Sequence, residues 1–372
     1  MSILSSDILV IGGGMAGASI AAHLSERANV HVLDMEERLG YHSTGRSAAL
    51  FSEAYGNATI RALTRASRSF LFSPPPGFSS VPLVRPRPVL IIGDASQQTA
   101  LDEYSSRETA VERVSVGKAL SLCPILRPEG LIGGILDDST ADIEVHELHQ
   151  GYLRTLKQRG GRVTTNASVT GLIRDTDGWV VETAQTKYRA AIVVNAAGAW
   201  AEEIGKLAQA LPIGLQPLKR TAALIEPPEG LLSDGWPMIL DAEERFYMKP
   251  DAGLLLLSPA DETPAIPSDV QPDELDIAIA IDRVESATTL QVRRVRSKWA
   301  GLRSFVGDRS PVVGYDPLQP GFFWLAALGG YGIQTAPAVS ALAADLVLER
   351  SVSVDFASFE ICRDHVSPMR FC

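Results

Sequence analysis

Gly12-x-Gly14-x-x-Gly17 directly follows the apolar run Ile8–Ile11. At this spacing the first glycine allows a tight turn. The second lets backbone approach a pyrophosphate, and the third lets a helix pack closely on a strand. The phosphates then meet the positive end of a helix at Gly14–Ala18, with Met15 and Ala16 in its first turn. Asp34 comes 22 residues after Gly12, at the end of a second apolar run, Asn29–Leu33. It is placed to accept a ribose hydroxyl, with Met35 beside it. The competing reading is a glycine-rich turn with only a packing role. Strand, helix and acid in the right order favour dinucleotide binding. Only one such fingerprint occurs, whereas an enzyme using flavin and nicotinamide together usually needs two. Two further segments point to flavin. Gly45–Arg46–Ser47–Ala48 brings a cation and small residues toward a diphosphate. Gly329–Gly330–Tyr331–Gly332, continuing into Ile333 and Gln334, opens an apolar helix whose free N–H groups would face the flavin pyrimidine edge. Taken alone, that loop also reads as a buried helix cap.

These residues need a scaffold. The opening reads as strand, glycine loop, helix (Ala18–Arg27) and strand, a βαβ unit of about 30 residues. Pro74–Pro76, Pro82, Pro86 and Pro88 mark the exit from a first domain. Strand character restarts at Val89–Ile92. A helix is expected over Ala141–Arg159, ending at Gly160–Gly161. Strands are expected at Arg162–Thr165, Ser168–Ile173 and Trp179–Thr183. One more, Tyr188–Val194, runs into the Asn195–Gly198 turn. Leu218–Ile225 and Glu244–Lys249 alternate like antiparallel strands. Asp261–Glu274 is acidic, contains proline and reads as an exposed loop. Asp276–Leu290 and Thr335–Leu348 read as helices. The dinucleotide-binding elements are not contiguous. The expected fold is therefore α/β, with a Rossmann-like domain over 1–83, 142–217 and 298–372. A second, α+β domain on an antiparallel sheet takes 84–141 and 218–297.

Composition excludes several classes. Lys and Arg number 34 against 44 Asp and Glu, a formal charge of −10. An acidic chain without a basic run is a poor partner for nucleic acid or anionic membrane. The N-terminal apolar run reads as a buried strand and not as a leader peptide, and no stretch is expected to span a membrane. Cys123, Cys362 and Cys372 form no CxxC, which suits a reducing, cytoplasmic setting. His146-x-x-His149 lacks further ligands and reads as an ordinary helix surface, so no metal is expected. His23, His31 and His42 are isolated, and Gly307–Asp308–Arg309 reads as a turn. No GxSxG nucleophile elbow is present.

Five segments together carry a family resemblance. They are Ile11–Gly17, Tyr41–Ala49, Val193–Trp200, Trp299–Ser304 and Gly329–Thr335. In this order, over roughly residues 5–350, they resemble the D-amino-acid oxidase, glycine oxidase and sarcosine oxidase superfamily. The D-arginine dehydrogenase branch is the most similar. The resemblance implies FAD, a substrate domain on an antiparallel sheet, and oxidation of a carbon bearing an amine. Hydride would pass from Cα to flavin N5, giving an imino acid that water hydrolyses to a 2-oxo acid and ammonia. No cysteine follows Arg303 before Cys362, so the FAD is expected to be noncovalent.

Residue roles follow from the same resemblance. Arg220 and Arg303 match arginines that hold the substrate carboxylate, for which a guanidinium fork is suited. The alternative for each is a structural salt bridge. Tyr247 matches a tyrosine supporting the carboxylate, and Tyr55 one on a mobile loop over the site. Either could instead merely pack. The Gly330 carbonyl matches an acceptor for the amine. Val169, Ala197, Gly198, Trp200 and also Arg303 match cofactor-binding positions. Two departures stand out: Leu50 replaces a histidine, and Val89 replaces the glutamate that binds a guanidinium. A buried cation without an acidic partner is costly. Activity on D-arginine and D-lysine is thus expected to be weak or absent. Glu53, Glu243 and Glu244 lie near matched positions as substitute acids or as solvated surface. The expectation is an FAD enzyme for a neutral or apolar D-amino acid, its electron acceptor being oxygen, a quinone or another carrier. Rivals are oxidation of secondary amines or 2-hydroxy acids, a flavin-binding subunit without turnover, and an NAD-dependent dehydrogenase.

Overall fold

The computed structural model describes residues 3–107, 111–350, 359 and 362–372. Ile8–Ile11 is a fully buried strand, paired in parallel with Val30–Leu33. Between them runs the helix Met15–Leu24. The sheet they start has six strands, in the order Arg162–Thr164, Val30–Leu33, Ile8–Ile11, Ile192–Asn195, Phe322–Ala326 and Val312–Tyr315. All neighbours are parallel except the last pair. Side chains alternate between its faces. Val10, Val32, Val194, Phe323 and Leu325 pack on the helices Met15–Leu24 and Gly332–Val347. Leu9, Val193, Phe322 and Trp324 pack instead with Trp179, Val181 and Tyr188. The latter belong to a small sheet of Ile3–Ser5, Lys187–Ala190, Gly178–Thr183 and Val169–Asp175. Three central parallel strands end side by side, at Ile11, Asn195 and Ala326. Their loops build the cleft, as carboxyl ends of strands do in open parallel sheets.

The other large sheet has nine strands. Eight lie in the order Thr263–Pro264, Gln216–Ile225, Leu254–Ser258, Tyr247–Asp251, Met238–Asp241, Val89–Asp94, Leu131–Asp137 and Glu112–Val114. The ninth, Val295–Phe305, pairs with Gln216–Ile225 over its whole length. Every pair is antiparallel except Met238–Asp241 with Val89–Asp94. One face buries Leu90, Ile92, Ala223, Ile239, Met248, Leu255 and Leu257 against Ile277, Ala280 and Val284 of the helix Glu274–Ala287. By the two-residue period, the opposite face carries Val89, Met238, Leu240, Tyr247, Ala222, Arg220, Gly301 and Arg303. One face is core; the other is the floor of the site. The strand Val295–Phe305 crosses the boundary expected at residue 298.

Three expected elements differ. Ala141–Ile143 is a strand, not the start of a helix; it pairs with Leu50–Phe51 and Val84–Pro86, and the helix begins at Val145. Tyr188–Val194 is two strands, Lys187–Ala190 and Ile192–Asn195, in different sheets. The chain switches sheets at Ala191, which an unbroken apolar pattern does not announce. Asp261–Glu274 is not simply an exposed loop. Thr263–Pro264 pairs with Leu218 and Lys219, and the side chain of Asp261 accepts from Thr221 N at 2.7 Å and from Thr221 Oγ1 at 3.0 Å. No helix among the described residues is long and apolar enough to cross a membrane.

Candidate active site

The glycine turn is a cradle that side chains would fill. Gly12 has φ +103°, and a Cβ at Gly17 would stand 1.8 Å from the Gly12 carbonyl oxygen. Met15 N donates to Thr44 Oγ1 at 3.0 Å. Asp34 Oδ2 accepts from Gly13 N at 2.6 Å, and Oδ1 accepts from Glu36 N at 2.8 Å. Asp34 therefore shapes the turn as well as facing the cleft. Burial raises its pKa above the usual carboxylate range, against the pull of those two N–H donors. His149 is buried beneath the turn, with Nε2 2.9 Å from the Gly13 carbonyl oxygen. The surface reading of this histidine is thus corrected: it braces the loop from behind, and burial lowers its pKa.

Three adjoining cavities follow one another along the cleft. The first is lined by Gly12, Gly14, Asp34, Met35, Val169, Ala197, Gly198 and Trp200. The second shares Gly14, Ser43, Thr44 and Ala196 with it, then runs past Met15, Ala16, Arg46, Ser47 and Ala48 to Gly329, Gly330, Gly332 and Ile333. The third shares Ser47, Ala48, Arg220, Tyr247, Arg303 and Gly330 with the second. It adds Leu50, Tyr55, Val89, Tyr104, Met238, Leu240, Glu244, Ala260 and Gln334. Residues expected at the cofactor and at the substrate thus line one continuous cleft. Gly17, Gly45 and Tyr331 line none of the three. Gly17 and Gly45 act through close approach, a Cβ on Gly45 standing 2.8 Å from the Gly40 carbonyl oxygen. Tyr331 is buried next to Tyr55 and Phe305. Arg46 lines the cleft, but Nη1 donates to Val270 O and Ala300 O and Nη2 to Asp269. The structure directs its fork toward the second sheet and the 269–270 segment.

The two candidate clamp arginines differ. Arg303 forms no salt bridge with a carboxylate among the described residues. Burial works against its charge, but Tyr55 and Tyr247 outweigh it and raise the pKa. Gly330 makes room for it: a Cβ there would lie 2.8 Å from Arg303 Nη1. Arg220 is 9% exposed and already anchored, with Nε on the Asp261 carbonyl at 2.8 Å and Nη2 on Glu262 Oε1 at 3.3 Å. Tyr55 packs edge-on against Tyr331 at 5.0 Å. Burial, with Tyr55 next, pushes the Tyr331 hydroxyl up to about 12.

Val89 is buried with Ile91, Leu101 and Ile135, and packs beside Leu50, Tyr104, Met238 and Leu240. Of the three candidate acids, Glu53 pairs with Arg68 at 2.9 Å and Glu243 accepts from Gln97 at 3.2 Å. Only Glu244 lines the third cavity. Sequence reading missed Glu262, Arg309, Met238, Leu240 and Tyr104. Met238 and Leu240 had a signal, the alternation of a strand. Glu262 and Arg309 had none, since only the fold brings them to Arg220.

Strand ends that converge on a glycine cradle, opening onto a cavity with one buried and one half-buried arginine, define a dinucleotide-binding oxidoreductase. Residues 7–346 match the family model for DAO, FAD dependent oxidoreductases. The chain belongs to that family and is an FAD-dependent enzyme. It is 23% identical to a glycine oxidase of Geobacillus kaustophilus, over 96% of this chain and 97% of that protein. It is 24% identical to the mitochondrial dimethylglycine dehydrogenase of Mus musculus, over 95% of this chain but only 44% of that protein. The chain thus spans less than half the length of the second relative. The crystal structure of the Geobacillus kaustophilus glycine oxidase superposes with TM-score 0.83 at 20% identity, covering 97% of this chain and 99% of that one. An L-alpha-glycerophosphate oxidase from Mycoplasma pneumoniae, solved with FAD bound, gives 0.83 at 17% identity, covering 94% and 95%.

Proposed function

We propose that the protein oxidises a small amine-bearing carboxylate, foremost a D-amino acid with a neutral or apolar side chain. The observation that carries this is Arg303. Its guanidinium has no carboxylate partner among the described residues, and it lies where the glycine-lined groove meets an apolar cavity. A half-buried cation of this kind is stabilised by a ligand carboxylate through two parallel hydrogen bonds. Tyr247 would support the same carboxylate, and the Gly330 carbonyl would accept from the amine. Tyr55 would close over the pair. Leu50, Val89, Met238 and Leu240 would take an apolar side chain, and Glu244 is the one carboxylate among the described residues that lines the same cavity.

FAD, when bound, supplies a two-electron acceptor for the Cα hydrogen and its electron pair. The protein's part is to hold Cα–H in line and exclude water. The products are an imino acid, then a 2-oxo acid and ammonia. The groove fits FAD: the Gly12–Gly17 turn leaves backbone where phosphates need it, and Asp34 and Trp200 line the other end. We read the FAD as noncovalent, because Ser304–Phe305–Val306 follow Arg303 and Cys123 is buried in the core of the second sheet. A reducing, cytoplasmic setting agrees with free Cys123, Cys362 and Cys372.

The test is anaerobic stopped-flow mixing of the FAD-loaded protein with D- and L-amino acids, N-methyl amino acids and 2-hydroxy acids. Rapid loss of flavin absorbance with neutral D-amino acids, and not with D-arginine, is the expected result. Bleaching by D-arginine would overturn the apolar reading of Leu50 and Val89. Bleaching only by N-methylated or hydroxy compounds would move the substrate to another class. The dimethylglycine and glycerophosphate chemistries in the names of two related proteins make those arms worth running. The rate should rise as the substrate amine loses its proton. Reoxidation by oxygen or by a quinone then identifies the acceptor.

A further inference from the structure

We propose that Glu262 is a positioning residue for the substrate carboxylate, acting through Arg220. This rests on the reading of Arg220 and Arg303 as the carboxylate clamp. Glu262 Oε1 accepts from Arg220 Nη2 at 3.3 Å and from Arg309 Nη2 at 2.8 Å, and Oε2 accepts from Arg309 Nη1 at 3.1 Å. One carboxylate therefore serves two guanidiniums. Glu262 is exposed and only partly desolvated, which works against its charge, but Arg309 first, then Arg220 and Arg303, hold its pKa below the usual carboxylate range.

The geometry of Arg220 gives this pairing a purpose. Asp261 O takes Nε and Glu262 takes Nη2, so the Nε/Nη2 edge of the fork is spent. Nη1 donates to no protein acceptor among the described residues, and Arg220 lines both the second and the third cavity. A long, rotatable side chain is thus held in one orientation with one end left over. Ordering that side chain beforehand removes an entropic cost from binding. Arg309 anchors Glu262 in turn. Its guanidinium lies 3.8 Å from the Phe305 ring centroid, and its backbone is held at φ +58°. Phe305 packs against Tyr331 and Tyr55, of which Tyr55 lines the third cavity. Gly307–Asp308–Arg309, read from sequence as a simple turn, thereby fixes the far end of a relay: Arg309 to Glu262 to Arg220 to ligand.

Glu262→Gln keeps the shape and removes the charge. Its amide N–H groups would face a guanidinium, and Arg220 and Arg309 would lose their shared anion. The experiment titrates FAD-loaded wild type, Glu262→Gln and Glu262→Asp with benzoate and acetate, read by perturbation of the flavin spectrum. It then measures KM and kcat with the amino acid that reduces the wild type fastest. The expected result is about a tenfold rise in benzoate Kd and in KM for Glu262→Gln, about 1.4 kcal/mol. kcat should stay within about twofold, FAD content should be unchanged, and Asp should recover part of the loss, because it restores the anion. An unchanged Kd, or a fall in kcat at constant KM, would overturn the proposal. Tighter benzoate binding in Glu262→Gln would also overturn it, by showing that Glu262 competes with the ligand. If the wild type binds neither carboxylate and no amine reduces it, the reading of the clamp fails first, and this inference with it.

Discussion

Arg220 and Arg303 stand on neighbouring antiparallel strands, on one sheet face, two positions out of register. Arg220 lies opposite Gly301, and Arg303 opposite Leu218. Diagonal pairs of this kind are about 7–8 Å apart, within reach of long side chains. Gly301 puts no side chain of its own directly opposite Arg220, and the stem of Arg46 lies over it, 3.5 Å from where a Cβ would stand. Two guanidiniums thus share one face, one anchored by Glu262 and the other without a carboxylate partner among the described residues.

That difference ranks them. Arg303→Met should lower kcat/KM by about 10²–10³-fold, on the order of 3–4 kcal/mol for a charge-assisted contact in the cleft. FAD content should not change. Arg303→Lys should recover only part, since an ammonium offers no planar fork. Reduction kinetics under anaerobic conditions check both. A Met variant with wild-type efficiency would remove Arg303 from the clamp.

Gly330→Ala places a methyl group 2.8 Å from Arg303 Nη1. Arg303 must shift by a few tenths of an ångström or more. The expected outcome is a kcat/KM lower by about 10–100-fold, because small misplacements at a reacting centre are costly. Flavin spectra and FAD stoichiometry should match wild type. A neutral result would show that the clamp tolerates displacement.

At Gly17 the same comparison gives a different phenotype. The new Cβ of Gly17→Ala would lie 1.8 Å from the Gly12 carbonyl oxygen, backbone that can move only if the turn opens. The variant should purify with little or no FAD and melt at or below the temperature of the stripped wild-type protein. Ligand-bound stabilisation is lost with the ligand. Flavin absorbance per protein and thermal melting report this. Full FAD occupancy would mean that the turn does not cradle the phosphates.

Val89→Glu tests the apolar wall. Val89 is 3% exposed among Leu50, Met238 and Leu240. A carboxylate there is destabilised unless a cation joins it. Efficiency with apolar substrates should fall at least about tenfold, while D-lysine or D-arginine should gain. The stability of the free enzyme should fall, and should recover when D-lysine is added. Kinetics across the side-chain panel decide it.

Acid should weaken the fold through buried histidines. The pKa of His23 is lowered from 6.5 to about 4, by burial first and Arg159 second, and its Nε2 has no partner among the described residues. A depressed folded-state pKa means that the unfolded chain takes up the proton first. The stabilising effect is therefore fully present above pH 6.5 and is lost as the pH falls from there toward 4. At pH 5 this amounts to roughly 2 kcal/mol. His23→Phe should flatten the decline in stability between pH 7 and pH 5. Denaturant melts at the two pH values check it; equal slopes in both proteins would exclude His23 as the cause.

What the sequence determined by itself was local. The turn at Gly12–Gly17 is legible because its constraints, a positive φ and a missing Cβ, act over six residues. The apolar runs at Ile8–Ile11 and Val30–Leu33 are legible for the same reason: a strand buried on both faces has no alternation to hide. The family motifs carried Arg303, Tyr247, Leu50 and Val89 to one cavity, because their order along the chain follows a shared topology. Tertiary structure decided the rest. The break at Ala191 depends on which sheet each half finds. The role of His149 depends on the Gly13 carbonyl 136 residues away. Arg46 turns toward Asp269, and Glu262 joins Arg220 to Arg309, across separations of 223, 42 and 47 residues. Hydrogen bonds between side chains so far apart leave no periodicity in the sequence. They exist only once strand register has placed the residues on one face.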